Sequence, residues 1–251
     1  MKLKGYSERG IVNALFYEIL YSISPESLLE NFISIIQFPF IDQPEFRIKK
    51  DVEIEIFIEQ SFSDFGDVDV LILIETEVSS AAIFIEAKVK TYSTPHWTID
   101  SEYDKFLNGI KEERVISSNL FAQLYHKVKM TEELRLSGIP VLQSGIQFPK
   151  CSSKKIRKIG KNQIVLRAVK RLKDYLGHAY YVAILPDSSV NMSNFYNSDR
   201  FSRYKFNDFK GWNTDAYGYI LWADVEKFCR DNNLNNTLRV FEFNEGQIYS
   251  K

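Results

Sequence analysis

The chain has 251 residues, of which 45% are hydrophobic and 26% charged, with a formal net charge of −1 at pH 7. These proportions describe a globular protein, exclude a disordered or fibrous one, and suit a single domain over 1–251. No run reaches the roughly 18 to 20 apolar residues that cross a bilayer, and Met1–Gly5 leads into polar Ser7-Glu8-Arg9 instead of a signal-type segment, so a cytoplasmic protein with no membrane partner is expected.

In chain order, apolar Ile11, Val12, Leu15, Phe16, Ile19 and Leu20 predict a helix over residues 7–24 with Ser7 as its N-cap, and a weaker pattern predicts a second helix over 25–36. Val52 to Glu59 alternates apolar and acidic residues, as in a strand with one solvated face. Val68 to Ile74 is apolar on both faces and suits a covered central strand. Ala81 to Val89 is a third strand after the polar turn Glu75 to Ser80, which gives an antiparallel meander. Helical spacing returns from Ser101 to about Leu136, in two pieces, and over Asn162 to Leu176, whose exposed side is basic. His178 to Leu185 reads as a strand, Asp187 to Gly218 as a long aromatic-rich loop, Tyr219 to Trp222 as a strand and Asp224 to Asp231 as a helix. The order predicts an α/β fold, a mixed sheet with helices on both faces, with a core over about 7–186 and a less regular part over 187–251.

Charge is segregated along the chain. Acids crowd between Asp42 and Glu113, whereas none occurs between Glu133 and Asp174, a stretch that carries Lys154, Lys155, Arg157, Lys158, Lys161, Arg167, Lys170 and Arg171. An acidic, cation-binding pocket beside a phosphate-binding surface would produce such a pattern, although a basic stretch is more often a solvated face. Cys151 and Cys229 have no C-x-x-C spacing and read as free thiols, and His96, His126 and His178 fit no zinc motif. Neither a P-loop nor a G-x-S-x-G elbow is present.

The pattern that points to chemistry is Gly66-Asp67-Val68-Asp69 followed by Ile85-Glu86-Ala87-Lys88. Strand side chains alternate, so Glu86 and Lys88 share a face and Ala87 points away. A tight turn near Glu77 to Ser79 would bring Asp69 across from Glu86 or Lys88, within about 5 Å for an opposed pair. Buried neighbouring carboxylates repel each other, and a hard divalent cation such as Mg²⁺ removes that conflict. Lys88 could then position a water and offset transition-state charge.

These residues resemble the PD-(D/E)xK nuclease superfamily, whose signature is an acid on one strand and (D/E)-x-K on the next. Glu86-Ala87-Lys88 matches the second half, Val68-Asp69 stands where the family has Pro-Asp, and Asp67 competes with Asp69 for the role. The resemblance implies a restriction-endonuclease-like fold, one or two Mg²⁺ ions with Mn²⁺ as a substitute, and endonucleolytic cleavage of DNA, or less often RNA, in a restriction or defence setting. It implies Asp69, Glu86, Lys88 and Gln123 as catalytic positions, Asp69, Glu86, Ala87 and Glu8 as metal-binding positions with Glu18 as the second choice to Glu8, and Tyr125 as a companion of Gln123. The eight cations above become the expected nucleic-acid contacts, and a homodimer is left open.

Plainer readings stand beside each of these. Glu86 and Lys88 could be a strand-end ion pair, Asp69 a turn cap, Glu8 a helix N-terminal charge and Gln123 an ordinary helix residue. A scaffold that keeps the fold without catalysis is the main alternative. Asp208-Phe209-Lys210 also satisfies (D/E)-x-K, but it has no apolar strand around it. Arg200, Phe201, Arg203, Tyr204, Lys205 and Trp212 interleave cations with rings, a pattern that can track a nucleic-acid strand but more often packs a core.

Overall fold

The computed structural model describes residues 4–44, 46–91, 96–116, 118–148, 153–198, 201 and 214–248. Cys151, Arg200, Arg203, Tyr204, Lys205, Trp212 and the Asp208-Phe209-Lys210 triplet lie outside them. In order come α1 (Ser7–Leu20), α2 (Pro25–Ser34), β1 (Glu55–Ser61), a 3-10 turn (Ser63–Phe65), β2 (Asp67–Glu75) and β3 (Ser80–Ala87). Then follow α3 (Ile99–Lys111), α4 (Leu120–Leu136), α5 (Ile139–Ser144), β4 (Ile146–Gln147), β5 (Ile156–Arg157), α6 (Gln163–Lys173) and β6 (His178–Leu185). The chain ends with α7 (Ser189–Asn197), β7 (Tyr217–Leu221), α8 (Trp222–Asp231) and α9 (Asn235–Ile248).

The main sheet has the order β1-β2-β3-β6-β7, antiparallel across the meander and parallel from β3 through β6 to β7. It is therefore mixed, and helices cover both faces. Alternation along the strands builds two cores. Leu71, Leu73, Phe84, Tyr181 and Leu185 face α3, α4, α6 and α7, whereas Val70, Ile72, Ile83, Ile85 and Ile184 face α1, α2, α8 and α9. β2 and β3 are buried on both faces, as their unbroken apolar runs require.

Local chemistry sets the helix starts. Asn162 Oδ1 caps α6 by accepting from Ile164 N at 2.8 Å, and Asn119 caps α4 from outside its first turn. Thr98 and Ser101 form a reciprocal capping box on α3. Ser7 does not cap α1 as its type suggests. It is the first helical residue, its N–H donates to Asn244 Oδ1 at 2.8 Å, and its hydroxyl donates to Glu8. The chain ahead of α1 presses on the helix so closely that a methyl group on Gly10 would meet the Gly5 backbone within 2.4 Å.

The C-terminal quarter holds helices that the sequence pattern does not predict, beside the strand and helix that it does. The predicted loop after Pro186 contains α7, because Ser188 caps it and Met192 and Phe195 anchor it in the core. Phe201 is also a core residue, packed against Phe40, Tyr103, Phe121 and Phe195, and not a surface ring. β7 completes the sheet, and α9 packs along α1. The first turn of α9 is satisfied by Glu18, whose carboxylate accepts from Asn236 N at 3.1 Å, Thr237 N at 2.8 Å and Thr237 Oγ1 at 2.8 Å. Glu18 is thereby committed to a helix end and not to a metal. Glu18→Ala should lower stability by about 1 to 2 kcal/mol in urea denaturation while leaving Mn²⁺ affinity unchanged. Among the described residues no helix is long and apolar enough to cross a membrane.

Candidate active site

The register of β2 and β3 pairs Val70 with Ile85, and continuing it by one residue sets Asp69 opposite Glu86 on the side that faces α4. Asp69 Oδ2 accepts the Ala87 amide at 2.7 Å, which fixes the carboxylate against the neighbouring strand. Asp67 is exposed, with its backbone carbonyl accepting from Lys127 and its charge acting on that ammonium, whereas Asp69 is the acid that β2 sets opposite Glu86.

The end of β3 is held at several points. Lys88 N donates to Ile184 O at 2.8 Å and Lys88 O accepts from Trp222 Nε1 at 2.7 Å, so the backbone is tied to β6 and to the start of α8. Its ammonium group reaches α4 and donates to Gln123 Oε1. Asp69, Glu86, Lys88 and Gln123 thus come together, and Glu8 lies near enough for its charge to act on Asp69. Tyr125 is buried, in an edge arrangement with Phe148.

The side chain that sequence reasoning missed is Lys127. It is wholly buried, one turn after Gln123 on α4, and it donates to Phe65 O at 2.9 Å and Asp67 O at 2.8 Å. Its Nζ stands 3.6 Å from Glu86 Oε1, an ion pair longer than a hydrogen bond. Glu86 is 1% exposed, and among the described residues nothing donates a hydrogen bond to Oε1. A signal did exist: Lys127 interrupts the stripe Leu120, Leu124, Thr131 and Leu134 at helical spacing, and a charge in such a stripe needs a buried partner.

Burial governs the protonation of these groups. It pushes the Glu86 carboxyl from its ordinary 4.5 up to about 7, with the Asp69 charge adding and the Lys127 and Lys88 ammonium groups opposing. Asp69 is also raised by burial, against the Ala87 amide and Lys88 and with help from Glu8. Lys127 is lowered by burial, against the attraction of Glu86 and Asp67. With Glu86 raised in the folded state, folding takes up a proton between about pH 4.5 and pH 7, and stability falls as pH rises through that window. In EDTA, the urea midpoint of the wild type should drop across this range by a slope of up to about one proton, and Glu86→Gln should flatten it.

Among the described residues no three His, Cys, Asp or Glu side chains gather into a metal-binding cluster. Glu8 accepts from Ser7 with its charge still acting on Asp69, and Ala87 donates its amide to Asp69; neither contact involves the Ala87 carbonyl or uses up the Glu8 carboxylate. Asp69 and Glu86 are the two carboxylates that the adjacent strands bring together here. Mg²⁺ commonly takes one or two carboxylates and fills its octahedron with waters and phosphate oxygens, so these residues fit such an ion. Glu86 is sealed, but Asp69, Lys88 and Gln123 are half-buried and leave the pair approachable. A cavity of about 930 Å³ lies elsewhere, between α1, α2 and the 232–236 turn, and includes none of these residues.

The eight predicted nucleic-acid cations divide. Arg157 is buried, donates to Asp64 O and Ser153 Oγ, and covers the Phe148 ring; Lys154 pairs with Asp64. Arg171 pairs with Glu55, four residues up β1 from the level of Asp69, or about 13 Å along a strand. Lys155, Lys158, Lys161, Arg167 and Lys170 are exposed. The segment with Lys158 and Lys161 docks on the 3-10 turn, where Asp64 N donates to Lys158 O at 3.3 Å and Gly160 N to Ser63 Oγ at 2.9 Å. That turn carries the Phe65 carbonyl bound by Lys127, so a chain of contacts links this segment to the acidic pair. Comparison with protein-family models, with curated proteins and with solved structures finds no match.

Proposed function

We propose that this chain is a metal-dependent phosphodiesterase of the PD-(D/E)xK type, an endonuclease with DNA as its first expected substrate and RNA as the alternative. The observation that carries the reading is the meeting of Asp69 and Glu86 from adjacent strands beside Lys88, with a Glu86 oxygen buried and given no hydrogen bond. Burying a carboxylate without full hydrogen bonding is costly, and function is the usual reason for keeping one. Asp69 and Glu86 would hold Mg²⁺, which when bound polarises a phosphate and lowers the pKa of a water.

The chain's own groups have separable tasks. Gln123 accepts from Lys88 and so restricts where its ammonium can point. Lys88 then donates to a non-bridging oxygen or to the attacking water as charge builds on the phosphate. Water adds to phosphorus, the bond from phosphorus to a sugar oxygen breaks, and a phosphomonoester and a hydroxyl result. The exposed Lys158 and Lys161 supply salt-dependent attraction for the polyanion.

A second reading has its own support. Because Lys127 already stands 3.6 Å from Glu86, the arrangement can persist without metal, as a scaffold that binds nucleic acid and does not cut it. Incubation of the purified chain with supercoiled and linear DNA, and with RNA, in Mg²⁺, Mn²⁺ or EDTA separates the two. Cleavage in metal that stops in EDTA supports the enzyme; affinity with no turnover in any divalent metal supports the scaffold.

A further inference from the structure

Counting donor atoms at the acidic pair leads to a statement about how many ions it can hold. Asp69 Oδ2 is used by the Ala87 amide at 2.7 Å, which leaves Oδ1. Glu86 Oε1 faces the Lys127 ammonium at 3.6 Å, which leaves Oε2. Lys127 cannot withdraw easily, because it is fully buried and two carbonyls, Phe65 O at 2.9 Å and Asp67 O at 2.8 Å, accept from it. With two of its three hydrogens on these carbonyls, the ammonium is held 3.6 Å from Glu86 and sets its charge beside Oε1 without a hydrogen bond to it.

Two-metal phosphodiesterase sites place their ions about 3.5 to 4 Å apart, within reach of shared carboxylate oxygens. An ion bound to Glu86 Oε1 at about 2.1 Å would lie no more than about 6 Å from the Lys127 charge, and both side chains are buried. There the fixed ammonium repels it, and the protein cannot relax to screen the repulsion. We infer that Lys127 is a positioning residue that takes the place of a second cation and restricts the site to one divalent ion, bound through Asp69 Oδ1 and Glu86 Oε2. Gln123 and Lys127 share one face of α4, so a single helix orients Lys88 through the first and Glu86 through the second. This inference rests on the metal-dependent reading above.

The test is Mn²⁺ binding to the full chain, followed by loss of the free-ion signal in electron paramagnetic resonance, with Glu86→Gln as the control for site occupancy. The wild type should bind one Glu86-dependent Mn²⁺. Lys127→Gln is neutral but still able to donate to the two carbonyls; it should take up a second ion or bind the first about tenfold tighter, the factor that Coulomb's law gives at that distance even in the dielectric of water. Two Glu86-dependent ions on the wild type overturn the inference and leave the metal-dependent reading standing. Unchanged stoichiometry and affinity in a folded Lys127→Gln overturn it as well, since a merely structural lysine would behave that way. No Glu86-dependent binding on the wild type overturns the metal-dependent reading itself. If Lys127→Gln does not fold, the wild-type stoichiometry alone decides.

Discussion

Glu86→Ala is expected to reduce Mg²⁺-dependent DNA cleavage by about 10³-fold or more, with the helical and strand content unchanged by circular dichroism. The carboxylate is one of the two that adjacent strands bring together at the site, and removing a group that holds the ion at the reacting phosphate costs at least as much as losing a single oxyanion-type donor. Lys88→Ala should lose cleavage to a similar extent yet keep its Glu86-dependent Mn²⁺, because Lys88 is assigned to the phosphate and not to the ion. Measuring cleavage and Mn²⁺ binding on the same preparations separates the two roles. A Glu86→Ala variant that cuts at the wild-type rate would remove the catalytic assignment altogether.

Lys127→Met should carry the largest stability cost of any single change at the site, rising toward about 3 to 5 kcal/mol as pH goes above 7 and Glu86 is forced to ionise, read as a shift in the urea midpoint. Removing the ammonium leaves Glu86 uncompensated in a sealed position and strips a donor from the Phe65 and Asp67 carbonyls. The Glu86→Gln/Lys127→Met pair should recover part of that loss, because a neutral amide has no charge to strand. The double-mutant cycle should therefore show a coupling of at least about 1 kcal/mol. Additive effects would mean that the 3.6 Å approach contributes nothing to the fold.

Some of this was legible from local pattern. The meander, the covered central strands and the shared face of Glu86 and Lys88 follow from period-two alternation, which depends only on backbone geometry. α6 was legible for a similar reason, with its Asn162 cap and basic outer side. The C-terminal segments were less so. α7 has a short, polar sequence whose anchors, Met192 and Phe195, gain meaning only from the aromatic cluster they enter, and α9 depends on a carboxylate supplied from α1.

The candidate site divides along the same line. By itself the sequence determined that two acids and a lysine end adjacent apolar strands, because a strand's faces are set one residue at a time. Only the tertiary structure decided that Asp69 and not Asp67 faces Glu86, that Glu18 serves a helix end, and that Arg157 and Arg171 are spent on the fold. It alone brought Lys127 beneath Glu86, from 41 residues further along the chain. The physical reason is that a charge's partner is chosen by what burial places beside it, and burial is a property of the packed whole and not of neighbours in sequence.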